Sequence, residues 1–261
     1  MEKLHIALLQ NDIVWEDVAA NLAACEETIA SLDKSVHIAV LPEMFTTGFA
    51  MSATRYAEEG DSTTISTLRR WAAQYDIALV GSYIAIDNGK CYNRGFFVKP
   101  DGEVTYYDKR HLFRMGDEGK VFTAGNDRVI VEYKGWNIAL FICYDLRFPV
   151  WSRNVNNEYD IALYVASWPQ VRGHVWRTLL MARAIENACY VCGVNRVGED
   201  GMQLVYTGDT MAIDFKGTII DKVPDGQQGV VIVELDGDKL QSFRSKFPTW
   251  RDADTFTIDI Q

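Results

Sequence analysis

Cysteine is scarce, with five among 261 residues: Cys25, Cys91, Cys143, Cys189 and Cys192. An odd, scattered set excludes a disulfide framework, and a reducing compartment, the cytoplasm, is expected. Cys189 and Cys192 have no second pair and no His-x-x-x-His to complete four ligands, so neither a metal nor a cofactor is expected. Positive charge is also in deficit, 26 bases against 36 acids for a net charge of −10. Such a field repels polyanions, and neither nucleic acid nor an anionic membrane is an expected partner. No apolar stretch approaches the roughly 18 to 20 residues of a bilayer span. The run at 4–9 is short and soon meets Gln10, Asn11 and Asp12, unlike an export signal. Internal repeats, low-complexity tracts and Pro/Ser-rich linkers are missing too, so residues 1–261 are read as a single domain.

What is present is the balance of a chain that folds: 48% hydrophobic and 24% charged residues exclude disorder as the main state. Buried-strand patterns at 4–9, 36–41 and 77–80 alternate with amphipathic helices at 15–32 and 64–75. Turn chemistry at Asp87-Asn88-Gly89 and Pro100-Asp101-Gly102 then separates strands at 83–86, 95–98 and 104–107. Further strands are expected at 129–133, 136–143 and 161–166, then a helix at 171–189, then strands at 191–194, 210–214, 218–221 and 230–234. Strands outnumber helices, so the helices can cover only outer faces. The expected fold class is α/β, an α-β-β-α sandwich of two packed mixed sheets. On the 171–189 helix, Val171, Val175, Leu179, Ala182, Ile185 and Cys189 form an apolar stripe expected to pack into the core, with Arg183 and Glu186 as a structural ion pair.

Three residues close strands and could do chemistry. Cys143 ends an apolar strand before Asp145-Leu146-Arg147-Phe148-Pro149, where the chain must turn toward a helix near Pro149. A thiol held there can act as a nucleophile with backbone N–H groups facing an oxyanion, or it can be simple core packing. Lys109 follows the 104–107 strand and Glu43 follows Leu41-Pro42, and either could equally be a solvated surface charge. The histidines offer no motif, although His111 and His174 keep a cysteine peptidase open.

Together the three supply a thiol, a carboxylate and an ammonium. The segments Leu41-Pro42-Glu43-Met44-Phe45, Tyr107-Asp108-Lys109-Arg110-His111-Leu112-Phe113 and Phe141-Ile142-Cys143-Tyr144-Asp145-Leu146-Arg147-Phe148-Pro149, in that order, resemble the nitrilase superfamily of carbon-nitrogen hydrolases. Gly48-Phe49, Ala124-Gly125-Asn126, Ala166-Ser167-Trp168-Pro169 and 182–187 extend the resemblance over nearly the whole chain. It implies a sandwich that forms a homodimer. Glu43 would be the general base, Cys143 the nucleophile, and Lys109 with the Tyr144 backbone N–H the oxyanion donors, each worth about 3 kcal/mol of barrier. Glu118 resembles the second glutamate, which positions substrate and helps fix Lys109. Lys109 is expected to favour thiolate at Cys143.

The continuation Val150-Trp151-Ser152-Arg153-Asn154 resembles the bacterial ω-amidase branch, which implies a small-molecule amide substrate, an ω-amido 2-oxo acid such as 2-oxoglutaramate or 2-oxosuccinamate. Its carboxylate would pair with an arginine, with Arg147, Arg114 and Arg172 as candidates. Trp168, Phe113 and Phe45 flank the motifs and are candidate pocket walls. The apolar tail at about 247–261 is expected to cross a dimer interface. Carbamoyl-amide or nitrile hydrolysis would use the same three residues, and a noncatalytic binding protein or a thiol redox sensor is the competing class.

Overall fold

Alternation along the first strand decides which layers it joins. Leu4, Ile6 and Leu8 point into a cluster shared with Ile138, Leu140 and Val165, whereas Ala7 and Leu9 point the other way, toward Cys25, Ile29, Ile65 and Leu68. Successive strand side chains face opposite sides, and both sides are covered here.

The computed structural model describes residues 2–259. From the N-terminus run β1 (Leu4–Gln10), α1 (Val18–Ala30), β2 (Ile38–Val40), α2 (Ala53–Tyr56), β3 (Glu58–Glu59), α3 (Thr63–Tyr75), β4 (Ala78–Asp87), β5 (Lys90–Val98) and β6 (Val104–Asp108). There follow α4 (Glu118–Val121), β7 (Ile130–Tyr133), β8 (Trp136–Ile142), β9 (Ile161–Ala166), α5 (Gly173–Asn187) and β10 (Tyr190–Asn195). The chain continues through β11 (Val197–Glu199), β12 (Val205–Thr207), β13 (Met211–Ile213), β14 (Ile219–Lys222), β15 (Gly229–Leu235) and α6 (Gly237–Lys246). One sheet has the order β15-β1-β2-β4-β5-β6, with β3 against β4, and the other β14-β13-β10-β9-β8-β7. The inner strands β1, β2 and β4 run parallel, as do β8, β9 and β10, and the outer ones pair antiparallel except the short β3, which is parallel to β4. These are two packed mixed sheets flanked by helices, with α1 and α3 on the first and α5 on the second.

Three expectations need correction. Strands at 77–80 and 83–86 are one continuous strand, β4, running through Gly81. A Cβ there would lie 2.8 Å from Phe96 Cζ, so the glycine admits a neighbouring ring rather than breaking the strand. No helix starts near Pro149; a 3-10 turn spans Cys143–Arg147 instead. The apolar stripe expected along 171–189 is split: Cys189 is fully buried and Val175 and Leu179 pack against the core, whereas Val171 is 77% and Ile185 57% exposed. The buried face carries Trp176, Leu180, Arg183, Ala184 and Asn187. Hydrogen bonds decide that rotation: Trp176 Nε1 donates to Asp209 O and Arg183 Nη2 to Leu146 O, drawing polar groups inward. Arg183 also reaches Glu186 at 2.8 Å. In the tail, Phe247 and Phe256 are exposed, Ile258 packs on the core, and residues 260–261 lie outside the described residues.

Candidate active site

Parallel strands that end side by side bring together the residues that follow them, and the loops beyond β2, β6, β8 and β9 converge. Glu43 follows β2 in a loop held to β4, where Met44 N–H donates to Ser82 Oγ and Phe45 N–H to Ser82 O. Lys109 follows β6, its N–H bonded to Asn93 O and its carbonyl to Gly125 N–H, both at 3.0 Å. A Cβ at Gly125 would lie 2.1 Å from Asp108 O, so only glycine allows this approach. Cys143 follows β8 with φ of +45°, a left-handed conformation costing about 1 kcal/mol for a residue with a Cβ. Its turn is overdetermined. Buried Asp145 accepts from Ile142 N–H and Tyr107 Oη through one oxygen and from His111 N–H and Nδ1 through the other.

The side chains meet behind a cavity. Lys109 Nζ donates to Glu43 Oε1 at 2.8 Å and to Glu118 Oε1 and Oε2 at 2.9 and 3.0 Å. Asn93 Nδ2 reaches Glu43 Oε1 at 2.7 Å and Glu118 Oε1 at 3.1 Å, and Ser167 N–H donates to Glu43 Oε2 at 2.8 Å. Phe113 N–H donates to Glu118 Oε2. The Cys143 thiol donates to Ser167 O at 3.9 Å, and Ser167 is the residue whose N–H holds Glu43 Oε2. Glu43 and Glu118 are fully buried, and Lys109 and Cys143 nearly so.

Two carboxylates face one ammonium, and this balance sets the protonation states. Burial alone would lower the Lys109 pKa, but Glu118 and Glu43 more than offset it and hold the ammonium charged well above the usual lysine range. Burial pushes the Cys143 thiol well up, Glu43 pushes it further, and the opposing pull of Lys109 is outweighed. Lys109 favours the thiolate, as expected, but burial and Glu43 outweigh it, and the resting thiol is neutral. Glu118 is raised by burial and by Glu43 against the pull of Lys109.

A cavity of about 810 Å³ opens over Lys109 and Cys143, with Tyr144, Trp168 and Phe113 in its wall. Phe45 lies instead in the core, edge-on to Phe96, because the turn at Met44 carries it away. Arg147 and Arg172 line this cavity, while exposed Arg114 lines a neighbouring one. The Arg147 guanidinium sits 5.0 Å above the Trp168 ring and that of Arg172 5.5 Å from the Phe113 ring. Trp168 Nε1 donates to Arg172 O, so one indole locates both. Neither guanidinium has an ion-pair partner among the described residues. Asp200, an acid in the same wall, is satisfied by the Met202 and Leu204 N–H groups and Tyr206 Oη. His111 lines the neighbouring cavity and His174 is an exposed position of α5, so the wall around Cys143 has no imidazole among the described residues. The described residues contain no cluster of three or more His, Cys, Asp or Glu able to hold a metal.

The arrangement can move a proton from a thiol to an adjacent carboxylate while an ammonium faces the oxygen of an attacked carbonyl. Sequence reasoning gave Asn93 no role and left Ser167 and Asp145 as motif members only. The available signal was an asparagine on an otherwise inward-facing position of a strand.

The chain matches the carbon-nitrogen hydrolase family model over residues 5–245. It is 45% identical over 259 residues to omega-amidase YafV of Yersinia enterocolitica, covering 99% of this chain and 100% of that one. It is 30% identical over 254 residues to 2-oxoglutaramate amidase of Bacillus subtilis, covering 96% and 97% of the two chains. A crystal structure of a CN-hydrolase superfamily protein from Xanthomonas campestris, with an arsenic adduct in its active site, superposes with a TM-score of 0.97 at 41% identity over 99% of this chain and 100% of that one.

Proposed function

Because this chain belongs to the carbon-nitrogen hydrolase family, a hydrolase of bonds other than peptide bonds, we propose that it hydrolyses the terminal carboxamide of a small ω-amido 2-oxo acid. The substrates are 2-oxoglutaramate or 2-oxosuccinamate, and the route is a thioester on Cys143. The names of the full-length relatives support the substrate class, as does the pair of guanidiniums without an ion-pair partner in the cavity wall, which suits a substrate that carries a carboxylate at the end remote from its amide. The observation that carries the chemistry is the meeting at one site of buried Cys143 with the hydrogen-bonded Glu43–Lys109 pair, the thiol and Glu43 both held by Ser167.

Glu43 takes the thiol proton as Cys143 Sγ forms a bond to the amide carbon, which spares the enzyme a standing thiolate in a site that disfavours one. The oxygen, now carrying the displaced electron pair, faces Lys109 Nζ and the Tyr144 N–H. Protonated Glu43 gives its proton to the amide nitrogen, the carbon-nitrogen bond breaks, and ammonia leaves the thioester. Glu43 then removes a proton from water as its oxygen attacks the thioester carbon, and collapse returns the proton to Cys143 and releases the acid. Glu118 keeps Lys109 aimed and charged. A thiol that must stay reduced suits the cytoplasm, and the exposed apolar side chains Val171, just before α5, and Ile185, near its end, suit a homodimer contact.

Ammonia release from 2-oxoglutaramate by the unaltered enzyme and by Cys143→Ala tests the reading. Fast release by the first and none by the second is expected. A panel containing a neutral amide, a carbamoyl amide and a nitrile, with one of these turned over fastest, would replace the substrate class. Equal rates in the two proteins would end the thioester route.

A further inference from the structure

We propose that Asn93 is a positioning residue for the hydrolysis, holding the Glu43 and Glu118 carboxylates together while Lys109 attends to the oxyanion. This rests on the reading of Glu43 as the base. The Asn93 side chain is fully buried on β5, and its Nδ2 donates to one oxygen of each glutamate. Both carboxylates can only accept when ionised, so the amide must present nitrogen to them; the flipped orientation would set Oδ1 against two anions. Oδ1 itself is buried without a hydrogen-bond partner. A site that tolerates an orphaned oxygen in order to aim two N–H groups is selecting the donors.

The reason lies in the arithmetic of Lys109. Its ammonium has three N–H groups, and all three are committed to Glu43 Oε1, Glu118 Oε1 and Glu118 Oε2. To face a developing oxyanion, Lys109 must loosen at least one of them, just as the two carboxylates most need a bridge against their mutual repulsion. Asn93 is that bridge, and its main chain is part of the same device, since its carbonyl accepts from the Lys109 N–H at 3.0 Å. The strand thus fixes the lysine at its backbone and the acids at their heads, leaving only the ammonium free to shift.

The test uses Asn93→Leu, close in shape and without donors, and Asn93→Ser, which has one donor and reaches less far. Two profiles are measured against pH: kcat/KM for the amide the unaltered enzyme prefers, and the rate at which iodoacetamide alkylates Cys143. With the Asn93 donor to the carboxylates lost, the acid limb of both profiles moves to higher pH in Asn93→Leu. kcat falls about 10-fold or more with KM nearly unchanged. Asn93→Ser shifts the same limbs less. Profiles of Asn93→Leu that superpose on those of the unaltered enzyme would overturn the proposal, as would a kcat loss without any movement of the acid limb. If Asn93→Leu shows no cooperative thermal transition, Asn93→Ser decides on the same criteria. Failure to hydrolyse any amide would sink the amidase reading alone, because the alkylation profile still reports on Asn93.

Discussion

The Asp145 carboxylate accepts the His111 backbone N–H at 3.0 Å, so the turn bearing Cys143 and the segment beyond Lys109 hang on one buried acid. The same group holds Ile142 N–H on the other side of the cysteine, and Tyr107 Oη, itself a hydrogen-bond acceptor from Trp151 Nε1, closes the ring. Such a network transmits a misplacement of one reacting group to the other. Asp145→Asn keeps the volume but turns part of the acceptor into a donor facing donors. A loss of kcat of about 100-fold or more is expected, with a lowered Tm, since a buried network is left partly unsatisfied. Steady-state kinetics beside a thermal melt check it; full activity at an unchanged Tm would refute the coupling.

The Cys143 thiol responds in opposite directions to its two charged neighbours. Glu43 raises its pKa and Lys109 lowers it, with burial dominant. Removing negative charge with Glu43→Gln should bring thiolate absorbance in at lower pH than in the unaltered enzyme. Lys109→Met should delay it to higher pH. In the unaltered protein, thiolate should not develop until above the usual cysteine range. Ultraviolet titration, with Cys143→Ala subtracted to remove the other four cysteines, reads all three, and shifts of one sign in both variants would contradict the charge assignment.

Arg147 and Arg172 differ from the other cavity groups in having charge to spare. Arg147→Leu and Arg172→Leu should each raise KM for a carboxylate-bearing amide by about 10-fold or more, the worth of a charge-assisted hydrogen bond. Turnover of a neutral amide should change little. Parallel kinetics on the two substrates separate a lost ionic contact from a distorted cavity, because distortion would impair both alike.

Most of the layer order could be read from the sequence, because buried parallel strands are continuous apolar runs with turn residues between them, and the segments 36–41 and 161–166 have no other plausible burial. Glu43 and Cys143 stood out because each closes such a strand, and Lys109 because it closes β6, a half-buried antiparallel edge strand. Asn93 and Asp145 did not, since their meaning is a partner dozens of residues away, and Asn93 to Glu43 spans 50 positions. The exposure of Val171 and Ile185, part of a stripe on and beside α5 expected to be covered, has a related reason. Apolar spacing on that helix marks a face that prefers to be covered, but which of two faces meets the sheet was settled by Trp176 and Arg183, whose hydrogen-bond partners Asp209 and Leu146 lie in other elements. Val171 and Ile185 are thereby left on the outer side while Val175 and Leu179 still reach the core.

That surface yields the last prediction. Val171 and Ile185 stand 77% and 57% exposed on or beside one helix, and Ile185 Cδ1 would lie 2.6 Å from a Cβ at Gly217, so this part of the face extends over the turn leading into β14. Exposed apolar side chains of this size suit burial against another surface, and in the proposed homodimer a second copy would cover like with like through a two-fold axis. An aspartate introduced at the centre of such a contact meets its own image across the axis, so each substitution counts twice. Ile185→Asp should therefore shift the protein toward monomer in sedimentation velocity at micromolar concentration, while its thermal unfolding stays cooperative because the side chain is outside the core. Val150→Asp, equally exposed at 54% but beside the Cys143 turn rather than on α5, serves as the charge control. If Ile185→Asp sediments as the unaltered chain does, or if Val150→Asp dissociates it as well, this face is not the dimer contact.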